Sequence, residues 1–156
     1  MMWITHNVFS LLFGLLFLYF FSMDFVFSIL FLVIVILAGS IPDIDTPNSK
    51  IGKKLPIVSH LFKFFFGHRG FVHSIFIPLV LLGTFLYFDL PFIAWGIFIG
   101  SISHLIGDMI TKEGITPLHP LIKFRIHGFI RTGKITEKIL FIIICLLDFY
   151  LFFRIF

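Results

Sequence analysis

The chain has 156 residues, 59% of them hydrophobic and only 13% charged, with 25 phenylalanines and a formal net charge of +4. That balance excludes an ordinary soluble domain, because a compact fold of about 150 residues still leaves roughly 30% of its extended-chain surface exposed. Lipid is the solvent this composition asks for, and the modest positive excess points to orientation in a membrane rather than to a nucleic-acid partner, which is not expected.

Five apolar blocks follow one another. The first runs from about Val8 to Met23 and the second from about Phe25 to Ala38, parted by the lone acid Asp24, which predicts a helical hairpin. Each is about 21–24 Å long as a helix, slightly short of a hydrocarbon core of about 30 Å. The start, Met1–Ser22, lacks the basic opening and the small-residue cleavage site of a signal peptide, so the first block is expected to be retained. Gly39 and Pro42 end the second block, since glycine suits a helix C-terminus and proline turns its predecessor away from helix.

A polar stretch follows, carrying Lys50, Lys53, Lys54, Lys63 and Arg69 against Asp43 and Asp45. Within it, Ile57–Phe66 mixes apolar, basic and histidine residues, the mark of a short helix lying in the interface. The third block, about Phe71–Phe88, and the fourth, about Pro91–Gly107, meet at Asp89 and form a second hairpin. Gly96, Gly100 and Gly107 give the fourth block a stripe without side chains, suited to close packing. Residues 112–138 form a second basic loop marked by Gly114, Pro117, Pro120, Gly128 and Gly133. The fifth block, Ile139–Phe156, holds the single cysteine, Cys145, so no disulfide framework exists. The expected architecture is an all-α, polytopic membrane bundle of about five apolar helices in hairpins, one domain over residues 1–156.

Two hairpins return the chain to its starting side, so the N-terminus and both long loops share one face. Those loops hold eleven of the twelve Lys and Arg residues, and the positive-inside rule makes their face cytoplasmic. Arg154, near the far end of the fifth block, is the exception.

The chemistry-bearing residues gather on that same face. His104 and Asp108 fall about 40° apart on one helical face, with Thr111 near the same stripe. Asp43 and Asp45, two apart in chain expected to be extended, project to one side. His68, Arg69, His73 and Ser74 open the third block, and His6 precedes the first. His60, His119 and His127 also lie on this face, in loop contexts that favour surface placement. Ionisable groups near the ends of membrane helices are costly unless paired or functional. Mixed imidazole and carboxylate donors suit a divalent metal: zinc first, one or two ions, with manganese or iron as alternatives. Such a site activates water and stabilises displacement at phosphorus, so hydrolysis is the natural reaction.

The ordered series His6; Gly39, Pro42, Asp43, Asp45, Pro47, Ser49; His68, Arg69, Gly70, His73, Ser74; and His104, Asp108, Thr111, Gly114, Pro120 resembles the YdjM-like family over about residues 1–120. The resemblance implies an inner-membrane-associated, LexA-binding metal-dependent hydrolase, and with it a protein regulator as a partner. More distantly, the order resembles the zinc-dependent phospholipase C and P1 nuclease group, helical enzymes that cleave phosphoesters. Carried across, it implies that His6, Asp43, His73, His104 and Asp108 are metal ligands, with Asp43 shared or bridging and Asp45 and His68 as further members. His119 or His127 would stand for the downstream ligands of those soluble enzymes, which have no clear counterpart here. Val72 stands where the membrane family commonly has threonine.

On this reading the substrate is a phosphoester, plausibly of a lipid headgroup. Asp43 or Asp45 orients the attacking water or takes its proton, and Arg69 grips the phosphate with two N–H groups. Ser74 supports the neighbouring histidine. Two other classes compete: a metal transporter or sensor, which would want ionisable residues through the depth of the bundle, and a non-catalytic scaffold that tethers a regulator through its basic loops.

Overall fold

The computed structural model describes residues 1–45, 49–54, 56–57, 59–60 and 71–156. Five helices carry the fold: α1 (Trp3–Phe20), α2 (Phe25–Ala38), α3 (Phe76–Tyr87), α4 (Pro91–Met109) and α5 (Ile135–Ile155). No strand occurs among the described residues, and the all-α membrane bundle expected from the sequence is the observed one.

The hairpin tips fall at the two acids. Asp24 caps α2 through its backbone carbonyl, which accepts the Ser28 N–H (2.8 Å). Asp89 takes a positive φ of 56°, which aspartate tolerates better than most residues, and Pro91 occupies the first turn of α4, where a missing N–H costs nothing. Among the described residues three segments are long and apolar enough to cross a membrane: Trp3–Phe20, Phe25–Ile44 and Pro91–Met109. α3, with 12 residues, is about 18 Å long, while α5, with 21, reaches about 31 Å but carries Lys138, Asp148 and Arg154.

α1 and α4 hold the bundle together. α1 packs against α2, α4 and α5, and α4 packs against α1, α2 and α3. The apolar core, Leu15, Leu18, Phe31, Leu32, Val35 and Leu151, joins α1, α2 and α5. Outward faces are equally greasy, with Phe25, Phe27, Leu146, Phe149 and Phe153 all more than half exposed. A helix apolar around its whole circumference belongs in lipid.

The glycine stripe of α4 packs as its spacing suggested. A methyl group on Gly96 would sit 2.7 Å from a methyl of Ile34, and one on Gly100 would run into the Val35 carbonyl oxygen and lie 2.8 Å from the Ala38 Cβ. α2 and α4 therefore touch backbone to backbone.

Several boundaries differ from expectation. α1 starts at Trp3 rather than near Val8, so His6 lies inside the helix instead of preceding it. α5 starts at Ile135, because Glu137 at its third position accepts the Gly133 N–H (2.6 Å) and closes the first turn. Ile41–Asp45 is a 3₁₀ turn, not extended chain, since Pro42 near its start has the fixed φ a helical turn needs. That removes the extended-chain reason for pairing Asp43 with Asp45. A short helical turn, Lys50–Lys54, follows; most of the expected interfacial helix Ile57–Phe66 lies outside the described residues.

The second long loop is more ordered than its glycines and prolines suggested. It folds back on itself, with paired N–H···O bonds between Ile115 and Ile126 (3.0 and 2.8 Å) and bonds linking Ile110–Lys112 to Gly128–Ile130. Gly114 sits at φ +58°, with the Ile126 carbonyl where a side chain would go.

Candidate metal centre

Four segments meet at one end of the bundle. α1 supplies His6 from its first turns, the 3₁₀ turn after α2 supplies Asp43, the 3₁₀ turn Phe71–His73 before α3 supplies His73, and the last turns of α4 supply His104 and Asp108. Hairpin topology puts these four stretches at the same depth, as the crossing argument required.

His104 is held at its back. Its Nδ1 lies 2.7 Å from the Gly39 carbonyl oxygen and donates to it, which leaves the Nε2 lone pair facing inward. Nε2 is buried, has no hydrogen-bond partner, and lies 3.9 Å from Asp43 Oδ1 and 3.7 Å from Asp108 Oδ2. His104 Nε2 thus faces two carboxylate oxygens beyond hydrogen-bonding distance, an arrangement of acceptors that a cation between them would stabilise.

Asp108 is the hub. Its Oδ1 accepts from the Met1 ammonium (2.9 Å) and lies 3.2 Å from His6 Nε2, while its Oδ2 lies 3.8 Å from His73 Nε2. The His6 and His104 rings stack at 4.0 Å and 10°, and the His73 ring meets His104 edge-on at 5.4 Å. Two potential ligand groups result, His6/His104/Asp108 and Asp43/His73/His104, each with its donor atoms within 4.8 Å of one another. Zinc bonds of about 2.0–2.2 Å in tetrahedral array put ligand atoms roughly 3.3–3.6 Å apart; the imidazole–carboxylate spacings of 3.2, 3.7, 3.8 and 3.9 Å fall on either side of that range, so small movements of the side chains bring these donors onto a divalent ion. The residues present fit the expected metal.

Burial is graded. The side chains of His6, His73, His104 and Asp108 are at most 2% exposed, and that of Asp43 is 21% exposed. Asp43 is therefore the open side of the cluster. Ser49, at the head of the Lys50–Lys54 turn, donates from Oγ to the Asp43 carbonyl (2.8 Å), which ties that turn, with its exposed Lys53 and Lys54, to the segment carrying Asp43.

Supporting groups hold the ligands. Ser103 Oγ donates to the Gly100 carbonyl (2.7 Å) and is 2.8 Å from Ser10 Oγ, tying α4 to α1 right beside His104 and about one turn beyond His6. A methyl on Gly107 would lie 3.2 Å from His6 Nδ1, so this glycine lets the His6 ring rest on α4. Glu137, fully buried, accepts the Met2 N–H (2.6 Å) as well as the Gly133 N–H, and so clamps the start of α1 to the start of α5. Gly39 carried a helix-end signal in the sequence, but nothing there announced its carbonyl as the His104 acceptor, nor the Ser10–Ser103 pair, nor the Glu137 clamp.

Other expected residues fall elsewhere. Thr111 lies beyond the end of α4 and donates from Oγ1 to the Asp108 carbonyl (2.8 Å), bracing the backbone. Ser74 donates to the Phe71 carbonyl (2.6 Å), closing the 3₁₀ turn that carries His73 instead of bonding its imidazole. The next N–H, of Ile75, donates to the Pro117 carbonyl (2.9 Å), so the second loop props that turn. His60, with Nδ1 2.7 Å from the Pro56 carbonyl, and His127 are exposed; neither they nor His119 belong to the ligand groups. His68, Arg69 and the Asp45 side chain lie outside the described residues.

Fold and site together define a helical membrane protein with a buried histidine–aspartate cluster at one end of its bundle. The chain belongs to the YdjM inner membrane protein family, whose model matches residues 1–155. It is similar to YvsG of Bacillus subtilis (strain 168), 38% identical over 118 residues that cover 74% of each chain. It is also similar to the inner membrane protein YdjM of Escherichia coli (strain K12) and of Shigella flexneri, each 40% identical over 93 residues, 54% of this chain and 46% of the relative. The match thus spans less than half the length of those two relatives. No solved structure matches the chain.

Proposed function

We propose that this protein is a membrane-embedded, metal-dependent hydrolase of phosphoesters, acting where lipid headgroups meet the bundle. The observation that carries the reading is the convergence of His6, Asp43, His73, His104 and Asp108 from four separate segments, with the bare Nε2 of His104 facing two carboxylates. Zinc is the first candidate, with manganese or iron as alternatives. A divalent cation held there supplies Lewis acidity and lowers the pKa of water.

The chain's own residues divide the remaining work. His104, fixed by Gly39, and His6, stacked on it, hold their donor atoms in place. Asp108 balances the imidazoles from the buried side. Asp43, the exposed member, orients the attacking water or takes its proton, which a carboxylate at the mouth of the site is placed to do. Substrate approaches past Asp43, where Lys53 and Lys54 attract an anionic group and Arg69 grips its oxygens. Asp45 and His68 complete the proposed set. In this reading the N-terminus and the basic loops face the cytoplasm, lipids are the immediate partners, and a protein regulator is a further one.

Elemental analysis of purified protein followed by a phosphoester panel, with Asp43→Ala and His104→Ala as controls, tests the proposal. Stoichiometric metal and turnover lost in both variants is the expected result. Stoichiometric metal without turnover on any ester overturns the hydrolase and leaves a metal-binding membrane protein; absence of bound metal overturns both.

A further inference from the structure

Asp148 lies away from the proposed metal centre. It follows Glu137 by eleven residues on α5, about 16 Å along the helix from the end where the histidines gather. Its side chain is buried, with the residue 6% exposed, and neither carboxylate oxygen has a hydrogen-bond partner. Asp148 borders a groove of about 320 Å³ between α1 and α5, otherwise lined by Val8, Leu11, Leu15, Cys145, Phe149 and Phe152, with its carboxylate oxygens tucked beneath that lining. Among the described residues no cation pairs with it: Lys138 is ten residues back along the helix, and Arg154, six residues on, is exposed.

An isolated carboxylate in an apolar setting is strongly destabilised, and ionisable groups inside membrane helices pair or mark a binding path. The lining says what kind of partner this one suits. Aliphatic side chains from α1 offer an apolar seat, and Phe149 and Phe152 of α5 line the same groove as the acid. A carboxylate among aromatic faces is the chemistry that holds an organic cation, by charge on one side and by ring quadrupoles on the other. A hydrated metal ion would lose its water shell and find a single carboxylate in return. A lipid headgroup at the helix end is the wrong depth, because Asp148 is seven residues, about 10 Å, short of Ile155. A groove of this volume sits at the lower end of small-ligand sites.

We propose that the α1–α5 groove binds a lipophilic organic cation, a membrane-soluble molecule with an apolar body and a delocalised or quaternary positive charge, with Asp148 as its counter-ion. The site is separate from the metal centre, and the inference does not rest on hydrolysis.

Tetraphenylphosphonium is a suitable probe, and binding is measured on the full chain in phosphatidylcholine nanodiscs. Saturable one-to-one binding is expected. Asp148→Asn, which removes the charge but keeps the shape, should weaken it at least tenfold, as should Leu11→Trp, which fills the groove. His104→Ala should leave it unchanged, and neutral triphenylphosphine should not compete. No saturable binding, equal binding by Asp148→Asn, or full competition by the neutral analogue would each overturn the proposal. If the substituted proteins fail to fold, the wild-type titration with and without triphenylphosphine still decides it. Saturable binding that appears only as two copies associate would reassign the groove to an interface and likewise overturn it.

Discussion

The imidazole of His104 donates to the carbonyl oxygen of Gly39 across 65 residues of sequence, and that single bond fixes which ring nitrogen faces the carboxylates. Because the acceptor is a backbone atom at the end of α2, the ring is aimed by the crossing of two helices rather than by a replaceable side chain.

His104→Ala should therefore remove metal binding rather than merely weaken it, since His104 is common to both ligand groups. Loss of a supporting group costs about 10–100-fold in affinity, and loss of a shared ligand should exceed that. Chelator competition on purified protein measures the difference; affinity within threefold of wild type would contradict the assignment.

The two acids should not be equal. Asp108 touches three imidazoles and the Met1 ammonium while almost wholly buried, whereas Asp43 is partly exposed. Asp108→Asn is expected to lower both metal content and thermal stability in detergent, the latter by about 3–5 kcal/mol, because it leaves a buried ammonium without its counter-charge. Asp43→Asn should lower metal affinity with a much smaller change in stability. Equal stability losses would argue that the cluster is symmetric.

Gly39→Ala should destabilise the bundle by about 1–3 kcal/mol, since the added methyl would meet the Ser10 side chain. Ser10→Gly in the same chain should recover part of the loss. Thermal unfolding of the single and double variants checks the coupling, and strict additivity would show that the two residues do not meet.

Glu137→Ala strips the acceptor from two partly buried hydrogen bonds, those of the Met2 and Gly133 N–H groups, and is expected to cost about 1–3 kcal/mol. Glu137→Gln keeps one acceptor and should retain part of the stability. Its effect on metal affinity, transmitted only through the placement of α1 and His6, should be smaller than that of His104→Ala.

Removal of metal offers a check without mutation. A ligand present at 100 times its dissociation constant stabilises by about 2.7 kcal/mol, so a chelator should lower the melting temperature of the wild type and leave that of His104→Ala unmoved.

Much of this was legible in the chain because a membrane imposes simple rules. Blocks of apolar residues parted by Asp24 and Asp89 gave the hairpins, and counting crossings put His6, Asp43, His73 and His104 at one level. Local geometry was less legible where two short-range rules competed. Pro42 bars helix from its predecessor in general, yet its own fixed φ also seeds a 3₁₀ turn, and the turn prevailed at Asp43. The end of α1 was set by contacts from another helix, Glu137, which no local pattern in residues 1–8 reveals. Asp148 drew no notice in the sequence, and its lack of a partner depends on what α1 presents to it.

The close approach of α2 and α4 at Gly100 carries a consequence for biosynthesis. His6 precedes Asp108 by about a hundred residues in the order of synthesis, so the histidine–aspartate cluster cannot close until the fourth helix has entered the bilayer and brought its bare stripe against the second. A nascent chain halted before that step holds His6 and Asp43 without their partners on the fourth helix, so assembly of the cluster reports that insertion has run to completion.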